Sequence, residues 1–362
     1  MATKTNRYRY EPDFAIPPGA TLQETIDQLG IDQRELAERT GLTTKTLNLI
    51  IKGKAPLTQQ TAMLLERVTN VPARIWNNLE AEYREQLARM EAHEELAKDI
   101  QWLKQVPTKE LIERGFIEAT KDKVLLLEQT LSFFRVASVA AWTEGWCEGQ
   151  FSFKKSGDAS CLDCRLATWL RIAEKMAEDT VVAAYSKPKF AKAIRDAREL
   201  TESPPAKFIP QLKSLFSDSG VALCLVPEIK GGRINGAARW VSPSKAMIAV
   251  NLRGKMNDIF WFTLFHEAGH ILNDSKKQTY VDIGYSNDPR EESANRFARE
   301  TLIPTEYDSQ LQATKSQVAV VRLAKEIGIA PGILVGRLQN EKVLDYSQLN
   351  SLKQRFEWSN GT

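Results

Sequence analysis

The sequence predicts an α+β fold that is mainly helical, with an all-α N-terminal module, a helical middle region and a C-terminal domain built on a small sheet. Three observations carry this. Between residues 79 and 200 apolar residues recur every three or four positions, the period of a half-buried helix. Around Pro204 and Pro205 that pattern breaks. Beyond the break come three short apolar runs separated by turn residues, and then helix again.

In order, residues 22–75 read as several short helices. Leu79, Tyr83, Leu87, Met90, Leu96, Ile100 and Leu103 mark an amphipathic helix whose Glu and Arg residues form a solvated face. ELIERGFI, VLLLEQTLSFFRVASVAAW and CRLATWLRIAEKMAE extend the helical pattern. VALCLVP (221–227), GAARWV (236–241) and AMIAVN (246–251) read as strands. One of the last two is the expected sheet edge, open to an extended protein segment. NDIFWFTLFHEAGHIL reads as a helix capped by Asn257 or Asp258, and the chain is helical again from Glu291. These signals divide the chain into regions 15–80, 81–204 and 205–345.

Hydrophobic residues make up 43% and charged residues 26%, so there is apolar material for a sizeable core. A net charge of +3 singles out no partner. No apolar run approaches the roughly 18 residues of a membrane helix, and the N-terminus lacks a signal-peptide core. The expectation is a cytoplasmic protein that meets no membrane. Four cysteines, Cys147, Cys161, Cys164 and Cys224, are too few for a disulfide scaffold. The CxxC at Cys161 and Cys164 has no further ligands nearby, and reads as ordinary cysteines at a helix start.

IDQRELAERTGLTTKTLNLIIKGKAPLT (31–58) has the pattern of a helix-turn-helix. Gln33, Ala37 and Gly41 fall four apart, and Gln33 is a further candidate DNA contact. Ala37 allows close helix approach, and Gly41 suits a left-handed turn. Leu36, Leu42, Leu47 and Ile50 would bury the helix pair. Thr43, Thr44, Lys45 and Asn48 open the second helix and would face the major groove of double-stranded DNA. From Arg39 to Leu65 there is no Asp or Glu, while Lys45, Lys52 and Lys54 are present, a bias that suits phosphate contact. VVRLAKEIGIAPGILVGRLQNEKVL (320–344) echoes the pattern without a basic cluster and reads as packing.

The chain holds three histidines, and two of them, His266 and His270, stand four apart in FHEAGHILND. On a helix both imidazoles share one face and can grip one metal ion. Glu267 lies beside them, placed to take a proton from metal-bound water. That is the chemistry HExxH encodes, and the implied metal is zinc. A third ligand is needed, and DPREESANRFARETLIP (288–304) offers Glu291 and Glu292.

HEAGH followed by E-x-x-A-N-x-F-A and Leu-Ile-Pro resembles the ImmA/IrrE family of metallopeptidases over roughly residues 205–345. The resemblance implies a zincin-like domain, zinc held by His266, His270 and Glu291, and Glu267 as general base. It also implies substrates that are DNA-binding repressors. The helical face agrees on Glu291. Steps of three and four from it reach Ala294, Asn295, Ala298 and Leu302, a small-residue inward side, whereas steps from Glu292 reach Arg296 and Arg299, an outer charged side. The motif does not fix an oxyanion stabiliser; Tyr280, Tyr285 and Arg290 are candidates by proximity only, against a plain loop or surface role for each. Residues 20–90 resemble the HigA-type antitoxins of the XRE repressor class, which implies a dimeric operator-binding module.

Two functions follow. One is a DNA-binding transcriptional regulator carrying a zinc endopeptidase that cuts a protein partner, a repressor or a member of a toxin–antitoxin or stress-response module. The other is a HigA-type antitoxin and repressor whose C-terminal domain only binds a partner. The intact Glu267 favours the first.

Overall fold

Among the described residues, five α-helices build the N-terminal unit: α1 (Pro18–Leu29), α2 (Gln33–Thr40), α3 (Thr44–Ile51), α4 (Gln59–Thr69) and α5 (Ala73–Ala97). The computed structural model describes residues 15–148, 163–232, 234–274, 280–282 and 289–358. It divides into two compact units, Met1–Ile100 and Gln101–Thr362. In the first unit, Asp32 caps α2 by accepting from the Glu35 N–H, and Gly41 makes the turn to α3 at φ 72°. The left-handed conformation there is what glycine permits cheaply. Leu22, Ile26, Leu36, Leu47, Ile50, Leu65 and Trp76 form the buried core. The long helix α5 buries only Trp76 and Tyr83, and its later turns are charged and exposed.

The second unit begins with α6 (Thr108–Glu113), α7 (Lys123–Phe134), α8 (Val139–Thr143), α9 (Cys164–Asp179), α10 (Lys187–Arg198) and α11 (Pro205–Ser217). Residues Lys123–Trp146 are, by length and composition, apolar enough to cross a bilayer, contrary to the sequence expectation. They do not form one uninterrupted rod. Arg135 turns left-handed at φ 57° and closes α7, and Ser138 caps α8. The 12 residues of α7 reach about 18 Å, short of the roughly 30 Å hydrocarbon core. Leu127, Leu131, Phe134 and Trp142 are buried within the unit.

Arg171 of α9 is buried and satisfied, donating to the Phe133 carbonyl at 2.9 Å, to Glu174 at 2.8 Å and to Glu178 at 3.0 Å. Pro205 starts α11, where its missing N–H costs nothing. Phe190, Ile194 and Ala197 of α10 join the same core as the sheet.

The three expected strands form as β1 (Val221–Leu225), β2 (Gly236–Ser242) and β3 (Lys245–Val250), with a short β4 (Tyr280–Asp282). The sheet order is β1-β3-β2-β4. Strand β3 runs parallel to β1 and antiparallel to β2, which also pairs antiparallel with β4. The expected open edge at GAARWV or AMIAVN is therefore wrong, since both strands are interior. The three-residue β4, too short to signal itself, covers the outer side of β2 at Gly236–Ala238. Arg239 of β2 pairs with Glu174 of α9, tying the sheet to the middle helices.

The remaining helices are α12 (Asn257–Asn273), α13 (Pro289–Leu302), α14 (Asp308–Leu311), α15 (Gln317–Ile327) and α16 (Pro331–Asn340). The N-cap of α12 is Met256, not Asn257 or Asp258. Asn257 is diverted: its Oδ1 accepts from the N–H groups of Asp258 and Gln354, fastening the C-terminal segment to the helix start. Helices α15 and α16 bury Leu323, Ala324, Ile327, Leu334 and Leu338, as a packing role requires.

Candidate metal centre

Helix α12 is almost wholly buried from Thr263 to Leu272, and His266, Glu267 and His270 lie within that stretch. Its approach to α13 is close because Gly269 faces Ala294 and Phe297, where an added Cβ would stand 3.1 Å from the Phe297 ring. That approach brings Glu291 over the histidines. Its Oε2 lies 3.1 Å from His266 Nε2 and its Oε1 lies 3.4 Å from His270 Nε2. One ligand atom from each of His266, His270 and Glu291 falls within 4.8 Å of the others.

The outer ring nitrogens are already committed. His266 Nδ1 lies 3.0 Å from Asn295 Oδ1, and His270 Nδ1 lies 2.6 Å from Asp274 Oδ2. Both partners are acceptors, so each Nδ1 carries a proton and each Nε2 offers a lone pair. The two Nε2 atoms are 3.1 Å apart. Two lone pairs at that separation repel unless a cation or an extra proton sits between them. Two imidazoles and one carboxylate are a donor set that suits zinc and leaves a fourth position for water.

The charge balance points the same way. Burial opposes charge on His270, but the hydrogen bonds to Asp274 and Glu291 outweigh it and raise its pKa to about 9. Burial likewise opposes charge on Glu291, yet the two imidazoles hold its pKa down at about 2. The His270 imidazole and the Glu291 carboxylate each favour the other's charged form.

Glu267 is 0% exposed. Strand β2 comes against it at Gly236, where an added Cβ would stand 2.7 Å from Glu267 Oε1 and 2.7 Å from Thr263 Cγ2. Glycine is needed there for space. Gly236→Ala should push Glu267 aside, and if the centre is a zinc peptidase it should slow cleavage by about a hundredfold while zinc content is kept. Unfolding measurements should show about 1–3 kcal/mol of lost stability. Full activity in that variant would show that the strand does not position Glu267.

Asp274, Asn295 and Gly236 were not assigned roles by sequence reasoning. The first two had a signal: Asp274 is four residues after His270, and Asn295 is four after Glu291. Gly236 had none. Glu292 is exposed, and no ion pair to Arg296, four residues on, forms among the described residues. Such exposed pairs gain too little to hold two long side chains. Arg299 is half-buried, not on an outer charged side. Tyr285 lies outside the described residues. Tyr280 is placed by its backbone in β4, and Arg290 is the second residue of α13. Cys164 opens α9, buried, with burial raising its thiol to about 11, and Cys161 lies outside the described residues.

In the N-terminal unit, Thr44, Lys45, Lys52 and Lys54 are exposed and Asn48 is half-buried on α3. Two other expected DNA contacts have local tasks. The Thr43 hydroxyl accepts from the Thr46 N–H as the N-cap of α3, and Gln33 Nε2 donates to Gln23 Oε1 of α1 at 2.8 Å.

Known protein families match one stretch in each unit. A helix-turn-helix family model matches residues 22–76, and a model described as an IrrE N-terminal-like domain matches residues 225–339. A 63-residue stretch is 33% identical to the uncharacterized HTH-type transcriptional regulator YddM of Escherichia coli (strain K12), covering 17% of this chain and 67% of that protein. The chain belongs to the XRE-type helix-turn-helix regulators through its N-terminal unit, and its C-terminal unit carries an IrrE/ImmA-like peptidase-family domain.

Proposed function

We propose that this protein is an operator-binding regulator whose C-terminal domain is a zinc endopeptidase acting on a protein partner. The observation that supports it most is the convergence of His266, His270 and Glu291 beside a wholly buried Glu267. His266, His270 and Glu291 would hold zinc, which when bound lowers the pKa of its water to about 7. Glu267 takes the proton of the attacking water and passes it to the departing amide nitrogen. Asn295 and Asp274 keep the two imidazoles turned with Nε2 inward. A repressor, or a member of a toxin–antitoxin or stress-response module, is the partner class we favour, with the N-terminal unit dimerising on DNA. The intact Glu267 ranks this above a repressor that only binds its partner. New protein N-termini in cells carrying the parent chain should include a cut in a DNA-binding protein that is missing with Glu267→Gln. Identical sets from the two strains would sink the endopeptidase.

For the DNA unit, Lys45→Ala with Lys52→Ala should weaken binding to all sequences alike. It should also reduce the slope of log affinity against log salt by about two, one for each phosphate no longer neutralised. Thr44 and Asn48 substitutions should change sequence preference instead. Retardation of the promoter fragment across a salt series reads both effects. A slope unchanged by the lysine pair would remove them from the interface.

A further inference from the structure

The α12 face that bears the ligands opens into a cavity of about 640 Å³, running from His266 and Glu291 toward α16 and Lys353. Ile259, Phe262, Leu302 and Ile333 give it apolar walls. Its charged lining is unevenly neutralised. Asp258, nine-tenths buried, pairs with Lys353 at 2.6 Å, and Lys353 also donates to Gln339 Oε1 at 2.8 Å. Arg337 is engaged by Glu341 at 2.5 Å and by Asp308 at 3.8 Å. Glu291 is occupied by the two imidazoles. Arg299 stands apart: half-buried on the cavity wall, it makes no hydrogen bond or ion pair among the described residues.

A guanidinium remains charged at any ordinary pH and takes a carboxylate through two parallel hydrogen bonds. Partial burial beside apolar walls strengthens such a pair by excluding water. Arg299 follows Glu291 by eight residues, about 12 Å along α13 and about 80° round it. An extended peptide advances about 3.3 Å per residue. The side chains of an arginine and of an acidic residue cover much of the remaining interval. A carboxylate held by Arg299 therefore belongs to a residue one or two positions from the bond at the metal centre.

We propose that Arg299 is a specificity-determining residue, and that this cavity takes a substrate group with an apolar stem and a carboxylate end. An acidic side chain and the free C-terminus of a peptide share that chemistry. The assignment rests on the peptidase reading above, because it places the carboxylate relative to the scissile bond.

The test uses the full zinc-loaded chain with Glu267→Gln, which should hold peptides without cutting them. It is mixed with random hexapeptides in two pools, one with free C-termini and one amidated, and retained peptides are sequenced by mass spectrometry. An acidic side chain as the source gives about tenfold enrichment of Asp and Glu in the amidated pool. A C-terminal carboxylate as the source gives retention from the free pool and little from the amidated one. Adding Arg299→Gln should abolish either preference, Arg299→Lys should keep part of it, and Arg299→Glu should favour basic peptides. Zinc content and circular dichroism confirm that each variant is folded. Retention with no carboxylate preference, a preference unchanged by Arg299→Gln, or no retention at all overturns the proposal. Digestion of the same pools by the parent chain is read separately. Arg299-dependent retention without any cleavage would count against the peptidase and leave the carboxylate site standing.

Discussion

Glu267→Gln should bind zinc as the parent does and cleave at least about a hundredfold more slowly, the usual range for losing a general base. The amide is nearly isosteric with the carboxylate, so it fits the same buried space against Gly236 and Thr263. It cannot take a proton from water at neutral pH. Zinc content should not fall, because Glu267 is absent from the cluster of His266, His270 and Glu291. The check is the cleavage rate of a protein substrate on a gel, with zinc content measured on the same preparations. Undiminished cutting would remove Glu267 from the chemistry, and lost zinc would make it a ligand.

Glu291→Ala should lower zinc affinity by more than about a hundredfold. Residues that only orient a ligand typically cost ten- to a hundredfold when replaced, and a direct ligand should cost more. Its two carboxylate oxygens face one Nε2 atom each, so its loss removes a donor and the negative charge that would offset the cation. Glu292→Ala should keep its zinc, with a stability change within about 0.5 kcal/mol, since Glu292 is exposed. Competition with a chelator reads both affinities. The reverse order would overturn the ligand assignment and the facing of α13.

Much of this grouping was legible from spacing together with the family resemblance. HExxH on one helix fixes a shared face, and the register of α13 separates Glu291 from Glu292. The helix-turn-helix was legible for a similar reason, because Ala37, Gly41, Leu47 and Ile50 lie at short fixed intervals. What escaped was set by residues distant in sequence. The start of α12 follows Gln354, 97 residues on, which claims Asn257 and leaves Met256 as the N-cap. The order of the sheet depends on β4, whose three residues carry no pattern of their own. Arg299 looked like a surface residue from its period, yet a long side chain can reach a cavity wall well round the helix from the ligand. The break between α7 and α8 rests on Arg135, whose guanidinium makes two 2.8 Å bonds to Glu178 across 43 residues of sequence.

Metal analysis of the full chain, purified without chelator, tests the account most directly. With two imidazoles and one carboxylate as ligands the chain should hold about one zinc, and the His266→Ala, His270→Ala double variant should hold almost none. A double variant that retains the parent's full zinc content would contradict the metal centre and the peptidase built on it.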